Sequence, residues 1–371
     1  MHTVLESIAT GTPPLREPQA EAATFMRQIE RLPDPLRNRL PAIYRGSAIE
    51  HRHSCVEDYG KTDASEFTFF PKNWSLEPTP TTKERNEKYR EAAIPLAEDV
   101  ARRALDGAEA GADDITHVIA VSCTGFFAPG LDVELVKRLD LPPTAQRTFI
   151  GFMGCYAAFN ALRVAHSFCQ SQPDARVLLV CTELCTLHFQ IDDSLESVVV
   201  NSLFADGAAA AILSARDEAE ARGQYAYVDG RCQLDDDSME DMTWAIGNTG
   251  FQMGLSSRVP AVIADHLPAY VDALLTAHDR ERSDIDFWAI HPGGRRIVET
   301  AQEALDLPAG ATDDSLAVLR DYGNMSSPTI LFVLQRILER AAASNGQAPE
   351  HGVAMAFGPG LTIEGALFER V

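Results

Sequence analysis

The sequence predicts an α/β protein built from two successive halves, and three observations carry that reading. From His117 onward, short β-branched and aromatic runs alternate with apolar residues at helical spacing. A polar stretch, Ala215 to Gly223, interrupts this series, and a second series follows it. In both, polar residues sit in glycine-rich turns directly after apolar strands, which suggests a site between packed halves. The pattern alone fits either a duplicated unit or two unrelated ones.

In chain order, apolar spacing predicts a helix over 17–32 and another over 84–108, which carries most of the early charge. Strand 117–122, helix 130–139, strand 147–152, helix 156–170, strand 176–182, helix 193–204 and strand 207–213 complete the first half, residues 1–220. The second half, 221–371, reads as helix 259–277, strand 286–290, helices 294–305 and 327–343, and closing strands 352–357 and 361–368.

Composition narrows the function. Apolar content is 45%, and no uninterrupted apolar run approaches a membrane span. Met1 to Glu6 has neither the basic nor the apolar region of a signal peptide. Seven thinly spread cysteines read as reduced thiols in a cytoplasmic protein. A net charge of −22 argues against nucleic-acid and anionic-membrane partners, and an anionic substrate would need a local basic pocket. Asp235-Asp236-Asp237 and Asp313-Asp314 read as solvating surface.

The most informative stretch is Gly151-Phe152-Met153-Gly154-Cys155-Tyr156-Ala157-Ala158. Thr148-Phe149-Ile150 reads as buried strand, while Ala158, Leu162, Ala165 and Phe168 recur at helical spacing, so Cys155 sits where strand becomes helix. Unpaired N–H groups and the dipole of that first turn favour a thiolate and lower the thiol pKa. Gly154 permits a sharp turn that leaves the sulfur open, which a merely buried cysteine would not need.

Two further turns share this build. His291-Pro292-Gly293-Gly294-Arg295 follows the apolar run Phe287-Trp288-Ala289-Ile290, and its glycines offer unobstructed backbone N–H groups. Tyr322-Gly323-Asn324-Met325-Ser326-Ser327-Pro328 precedes an apolar helix. Singly, each has a plain structural reading: a hydrogen-bonded histidine, a Gly-Asn turn, a serine N-cap. Together, a thiol, an imidazole and an amide form an acyl-transfer set. Cys155 would carry an acyl group as thioester, with His291 keeping the sulfur ionised. His291 and Asn324 would hydrogen-bond a thioester carbonyl and stabilise the enolate formed as a malonyl group loses carbon dioxide.

Gly154-Cys155, His291-Pro292-Gly293-Gly294, Tyr322-Gly323-Asn324-Met325-Ser326-Ser327 and Phe357-Gly358-Pro359-Gly360-Leu361-Thr362 resemble the signatures of type III polyketide synthases, the chalcone-synthase-like family. Val121-Ser122-Cys123-Thr124-Gly125 and Leu203-Phe204-Ala205-Asp206-Gly207 add to the likeness, which runs from about residue 35 to the C-terminus and is closer to bacterial members. The resemblance implies a homodimeric thiolase-like fold with a duplicated, layered αβαβα architecture and no metal or organic cofactor. It implies CoA thioesters as substrates: malonyl-CoA as extender and an acyl-CoA or acyl-carrier-protein starter, closing to a pyrone, resorcinol or other phenolic product. By the same likeness Cys155, His291 and Asn324 are catalytic. Phe204, Thr124, Cys185, Trp244, Met253 and Pro359 would line the substrate cavity, Phe204 as a gate, and Arg45, Gly293, Gly294 and Ser326 would contact CoA.

The chain departs from the family in several places. Met253 stands where a second gating phenylalanine is common, and Ala128 where many members have an interface-crossing methionine. Ala42 and Gly46 replace frequent CoA-contacting cations, leaving Arg39, Arg45 and Arg52 for a depleted phosphate site. Trp244 replaces the glycine of large-cavity members, and strand alternation puts it on one face with Met242 and Ile246.

Two patterns read as decoys. Cys181-x3-Cys185-x2-His188 has no second pair to complete a zinc site, and Gly358-Pro359-Gly360 lacks the helix and lysine of a phosphate loop. The alternative functions are an initiating ketoacyl synthase performing one condensation, a cysteine hydrolase, and a non-catalytic subunit of the same fold. Against the first, His291 lacks an asparagine two or three residues beyond it.

Overall fold

The computed structural model describes residues 1–192, 194–343 and 348–371. β1 (His2–Gly11) is followed by a small layer in which β2 (Leu15–Pro18) pairs antiparallel with β3 (His51–Ser54). Between them lie α1 (Gln19–Gln28), α2 (Asp34–Arg37) and α3 (Leu40–Gly46). The expected helix over 17–32 is thus shortened at both ends. Pro18 is extended (φ −60°, ψ 137°) and belongs to β2, and Ile29 turns back to extended backbone.

The alternating series follows: α4 (Thr82–Gly107), opened by a Thr81/Glu84 capping box, then β4 (His117–Ser122), α5 (Leu131–Arg138), β5 (Gln146–Gly151), α6 (Ala157–Ser171), β6 (Arg176–Leu184), α7 (Leu195–Leu203) and β7 (Asp206–Arg216). The junction expected from Ala215 is narrower than read. β7 runs through Arg216, and Asp217 caps a single turn, α8 (Glu218–Ala221).

The second half adds β8 (Tyr225–Leu234), the hairpin of β9 (Met242–Gly247) and β10 (Gly250–Leu255), then α9 (Val259–Thr276), β11 (Phe287–Ile290), α10 (Arg295–Ala304), α11 (Asp313–Tyr322), α12 (Thr329–Ala343), β12 (His351–Gly358) and β13 (Thr362–Arg370). β1, β8, β10 and α11 were not expected from the sequence pattern.

Among the described residues, nine strands form one sheet in the order β11-β12-β13-β8-β1-β7-β6-β4-β5. β4 runs parallel to both β5 and β6, whereas β1 is antiparallel to β7 on one side and β8 on the other. Three apolar clusters define the layers. α6 and α12 share a central core with strands of both halves (Leu162, Ala165, Leu331, Leu334, Leu179, Ala354). α4 and α5 cover the outer face of the first half through Val100, Ala104 and Leu135. α9 and α10 cover the second through Ile263, Val271 and Ala301. This is the αβαβα arrangement of a thiolase-like fold.

Candidate active site

Cys155 lies in a single tight turn, residues 154–156, between β5 and α6. Gly154 has φ +81°, and a Cβ there would lie 2.4 Å from a Pro359 ring carbon, so only glycine lets Pro359 close over the turn. Phe152 is also held at positive φ (58°), a conformation that costs a non-glycine residue about 1–3 kcal/mol. Strain therefore accumulates beside the sulfur.

The second half brings the amide of Asn324 to this turn, and Asn324 in turn bonds the backbone two residues beyond His291. Sγ of Cys155 is 4.0 Å from Asn324 Oδ1, which also accepts the Ser326 N–H at 2.8 Å. That fixes the amide's orientation, so Nδ2 donates one hydrogen to Gly293 O at 3.2 Å. Its second hydrogen has no protein partner among the described residues. His291, at the end of β11, is tied to β12 by its N–H bond to Met355 O at 2.8 Å. Its ring is buried, and neither nitrogen has a hydrogen-bond partner among the described residues. Buried polar groups are seldom left unpaired, and water or a ligand completes them.

Protonation differs from the sequence expectation. Burial pushes the Cys155 thiol up to about 11, against smaller opposing effects of Ser326 and Asn324. Burial also pushes His291 down to about 3. The resting pair is a neutral thiol and a neutral imidazole, with no hydrogen bond between them, in place of the expected ion pair. The dipole of the helix start is outweighed by the loss of solvent around the sulfur.

A cavity of about 630 Å³ reaches Cys155 and Ser326. Its wall includes Thr124, Cys185, Phe204, Trp244, Met253 and Pro359, and at its other parts Ala22, Phe25, Met26 and Tyr44. His291 and Asn324 are not lining residues, nor are Arg45, Gly293 and Gly294. Arg45 is exposed on α3. The Gly293 N–H is donated to His291 O at 3.0 Å, so it is not the open donor its sequence suggested. Ser326 lies against Cys155 and the cavity, apart from Arg45 on the surface. Arg52, counted among cations for a phosphate, has Nε and Nη1 committed to protein oxygens.

Trp244 is half-buried on β9 and lines the cavity together with Met242. Ile246, expected on the same face, is 57% exposed, although its cross-strand partner Phe251 is buried and the hairpin's turn is tied to Thr82 and Gln190. His188 stacks flat on Phe251 (4.1 Å between ring centres, 6° between planes), and Trp244 stands edge-on to both. His188 donates from Nε2 to Thr124 O at 2.6 Å and accepts the Phe251 N–H at Nδ1, so neither nitrogen is left for a metal.

The sequence pattern did not single out Glu183. It is fully buried on β6, where burial raises its carboxyl to about 7. It accepts from Cys123 N–H, Thr124 Oγ1 at 2.7 Å and Ser327 Oγ at 2.7 Å, joining loops from both halves beneath Cys155. The signal was present: an acid inside the apolar run Val177 to Leu184.

A thiol, an imidazole and an oriented amide, gathered at the seam of a thiolase-like fold, define a class of acyl-transferring enzymes. Residues 3–217 match the N-terminal domain of chalcone and stilbene synthases, and residues 233–371 match the C-terminal domain. The chain is 37% identical over 371 residues to the alpha-pyrone synthesis polyketide synthase-like Pks18 of Mycobacterium tuberculosis, spanning 99% of this chain and 91% of that protein. It is 30% identical to 3,5-dihydroxyphenylacetyl-CoA synthase of Streptomyces toyocaensis, spanning 96% of each. The crystal structure of PKS-I from the brown alga Ectocarpus siliculosus superposes with a TM-score of 0.93 at 37% identity, covering 100% of this chain and 98% of that one. The C-terminal type III domain of Steely1, a type I/III hybrid from Dictyostelium, gives 0.89 at 28% identity with full coverage of both. The chain belongs to the chalcone and stilbene synthase family, and is a polyketide synthase of type III, an acyltransferase using CoA thioesters. Among the described residues no helix is long and apolar enough to cross a membrane.

Proposed function

We propose that Cys155 takes an apolar acyl starter as thioester and that His291 and Asn324 drive its extension with malonyl-CoA to an α-pyrone. The observation that carries this is the buried, unpartnered His291 ring beside an amide with one hydrogen to spare. When the malonyl carboxylate leaves as carbon dioxide, its electron pair becomes an enolate whose oxygen both groups can bond. The enolate carbon then attacks the Cys155 thioester, and the sulfur departs. In the starting acylation, neutral His291 is the base that receives the thiol proton. After further rounds, an enol oxygen attacks the thioester carbonyl and closes a lactone. Pks18 is named for α-pyrone synthesis, and the cavity's Ala22, Phe25 and Met26 suit an apolar starter.

In this reading the first half, 1–220, supplies the nucleophile and the second, 221–371, the decarboxylating groups. Thr124, Cys185, Phe204, Trp244, Met253 and Pro359 shape the chain's path, with Phe204 as gate. Arg45, Gly294 and the Gly293 turn face the CoA, and Ser326 adjoins the reacting sulfur. The working unit is a cytoplasmic homodimer. Supporting it, Phe126, Phe149 and Phe152 are exposed on and beside β5, the sheet's open edge.

Incubating the enzyme with malonyl-CoA and a panel of acyl-CoA starters, with products read by mass spectrometry, tests the reading. Pyrones from apolar starters are expected. A single linear ketoacyl thioester would indicate an initiating ketoacyl synthase, and starter hydrolysis without malonyl consumption would indicate a hydrolase. Cys155→Ala should abolish product while carbon dioxide release from malonyl-CoA continues.

A further inference from the structure

The C-terminus of α7 ties three parts of the site together. A helix leaves its last four carbonyls without internal partners. In α7 each is taken: Val200 O by the Phe204 N–H at 3.3 Å, Asn201 O by Arg52 Nη1 at 2.8 Å, Ser202 O by Gln19 Nε2 at 2.7 Å, and Leu203 O by the Asn324 N–H at 2.9 Å. The same Arg52 nitrogen donates to Phe204 O at 2.7 Å, and Nε donates to Gln19 Oε1 at 2.8 Å. A cation here also meets the negative end of the helix dipole.

Asn324 is held to this helix end by its backbone. Its O accepts the Ala205 N–H at 2.8 Å, completing a parallel bridge between Phe204 and Asn324. Arg52 packs against the residue before it: a Cβ on Gly323 would lie 3.0 Å from Arg52 Cγ. The bridge thus couples the cavity wall at Phe204 directly to the amide beside Cys155. Arg52 itself bonds none of Cys155, His291 or the Asn324 side chain.

We propose that Arg52 is a positioning residue for decarboxylation: by clamping the end of α7 it sets the Asn324 amide against Cys155, with Phe204 in register. The planar fork reaches two carbonyls from one nitrogen and a side-chain oxygen from another, which a lysine ammonium on a flexible stem cannot reproduce at once. The proposal rests on Asn324 acting as an enolate donor, so its test carries Asn324→Ala as a separate arm.

Malonyl-CoA decarboxylation and acylation of Cys155 by an acyl-CoA are measured in the full-length enzyme and in Arg52→Met, Arg52→Lys, Asn324→Ala and Arg52→Met/Asn324→Ala. A displacement of about 1 Å at the amide should lower the decarboxylation kcat of Arg52→Met up to about 10²-fold while KM moves little. Acylation of Cys155, followed by intact-protein mass, should stay near wild type, and Arg52→Lys should fall between. In the double variant the loss should not exceed that of Asn324→Ala alone, because both act through one amide. Normal decarboxylation in Arg52→Met, alongside a defective Asn324→Ala, overturns the proposal. So does a parallel loss of acylation and melting temperature, or failure of both Arg52 variants to fold, each of which marks a merely structural residue. Normal decarboxylation in Asn324→Ala instead refutes the donor reading of Asn324.

Discussion

The indole N–H of Trp244 is donated to the carbonyl of Cys123 at 2.8 Å, which fastens the β9–β10 hairpin to the loop beside the nucleophile. The indole is therefore both wall and fastening. Trp244→Gly should open the cavity and yield products longer by at least one malonyl unit, or admit larger starters, read as product masses. Because the ring is only half-buried, the stability loss should fall below the roughly 3–5 kcal/mol of a fully buried tryptophan. A lower melting temperature with an unchanged product range would reject the wall assignment.

Removing the amide donor at position 324 isolates its share of enolate stabilisation. Asn324→Ala should lower malonyl-CoA decarboxylation by about two to three orders of magnitude, the loss of roughly 2.7–4 kcal/mol seen for one oxyanion donor. Acylation of Cys155 should be far less affected. Equal losses in both steps would mean the side chain serves the fold and not the reaction.

Cys155 and His291 should show their relationship in a pH profile. Without the imidazole, a thiol that burial holds at about 11 gains thiolate tenfold per pH unit across the neutral range. Iodoacetamide labelling of Cys155 in His291→Ala should therefore climb steadily to above about pH 9 without a plateau. If His291 receives the thiol proton, as proposed for the acylation step, the wild type should label faster at neutral pH. Coincident profiles would show that His291 takes no proton from this sulfur.

Glu183 predicts a stability that depends on pH. Its carboxyl lies near 7 in the fold against 4.5 for an ordinary glutamate, so the fold favours the protonated form. Stability from this group is complete below about pH 4.5 and is lost as pH rises through 7, by on the order of 3 kcal/mol. Glu183→Gln cannot ionise, so its melting temperature should fall much less between about pH 5 and 8 than that of the wild type. Asp206, raised by burial to about 6, would account for the slope that remains. Parallel melting curves for the two proteins would place the pH dependence elsewhere.

The site was more legible than the frame around it. Cys155, His291 and Asn324 announce themselves because each interrupts an apolar run with a glycine-bearing turn, a local signal. β1 carries no such signal. Its residues Val4 and Leu5 are both buried, since helices pack on β1, and Glu6 is accommodated by Arg176, Ser214 and Arg216, far away in sequence. Likewise, the alternation that places Met242, Trp244 and Ile246 together holds for the first two, which line the cavity, and fails at Ile246, which strand period alone leaves uncovered. Arg52 read as a phosphate ligand because nothing local reveals that α7's carbonyls will claim it. The thiol's protonation follows a related logic: a helix start is visible in sequence, but the burial that overrides it appears only once the chain has packed.

β1 also sets a timetable for synthesis. It is synthesised well before its partners, which span residues 206–216 and 225–227. At about 5–20 residues per second, its edges wait roughly 10–40 s for the first of them. Throughout that interval a strand destined for the middle of the sheet has both backbone edges unsatisfied, open to mispairing with another nascent chain.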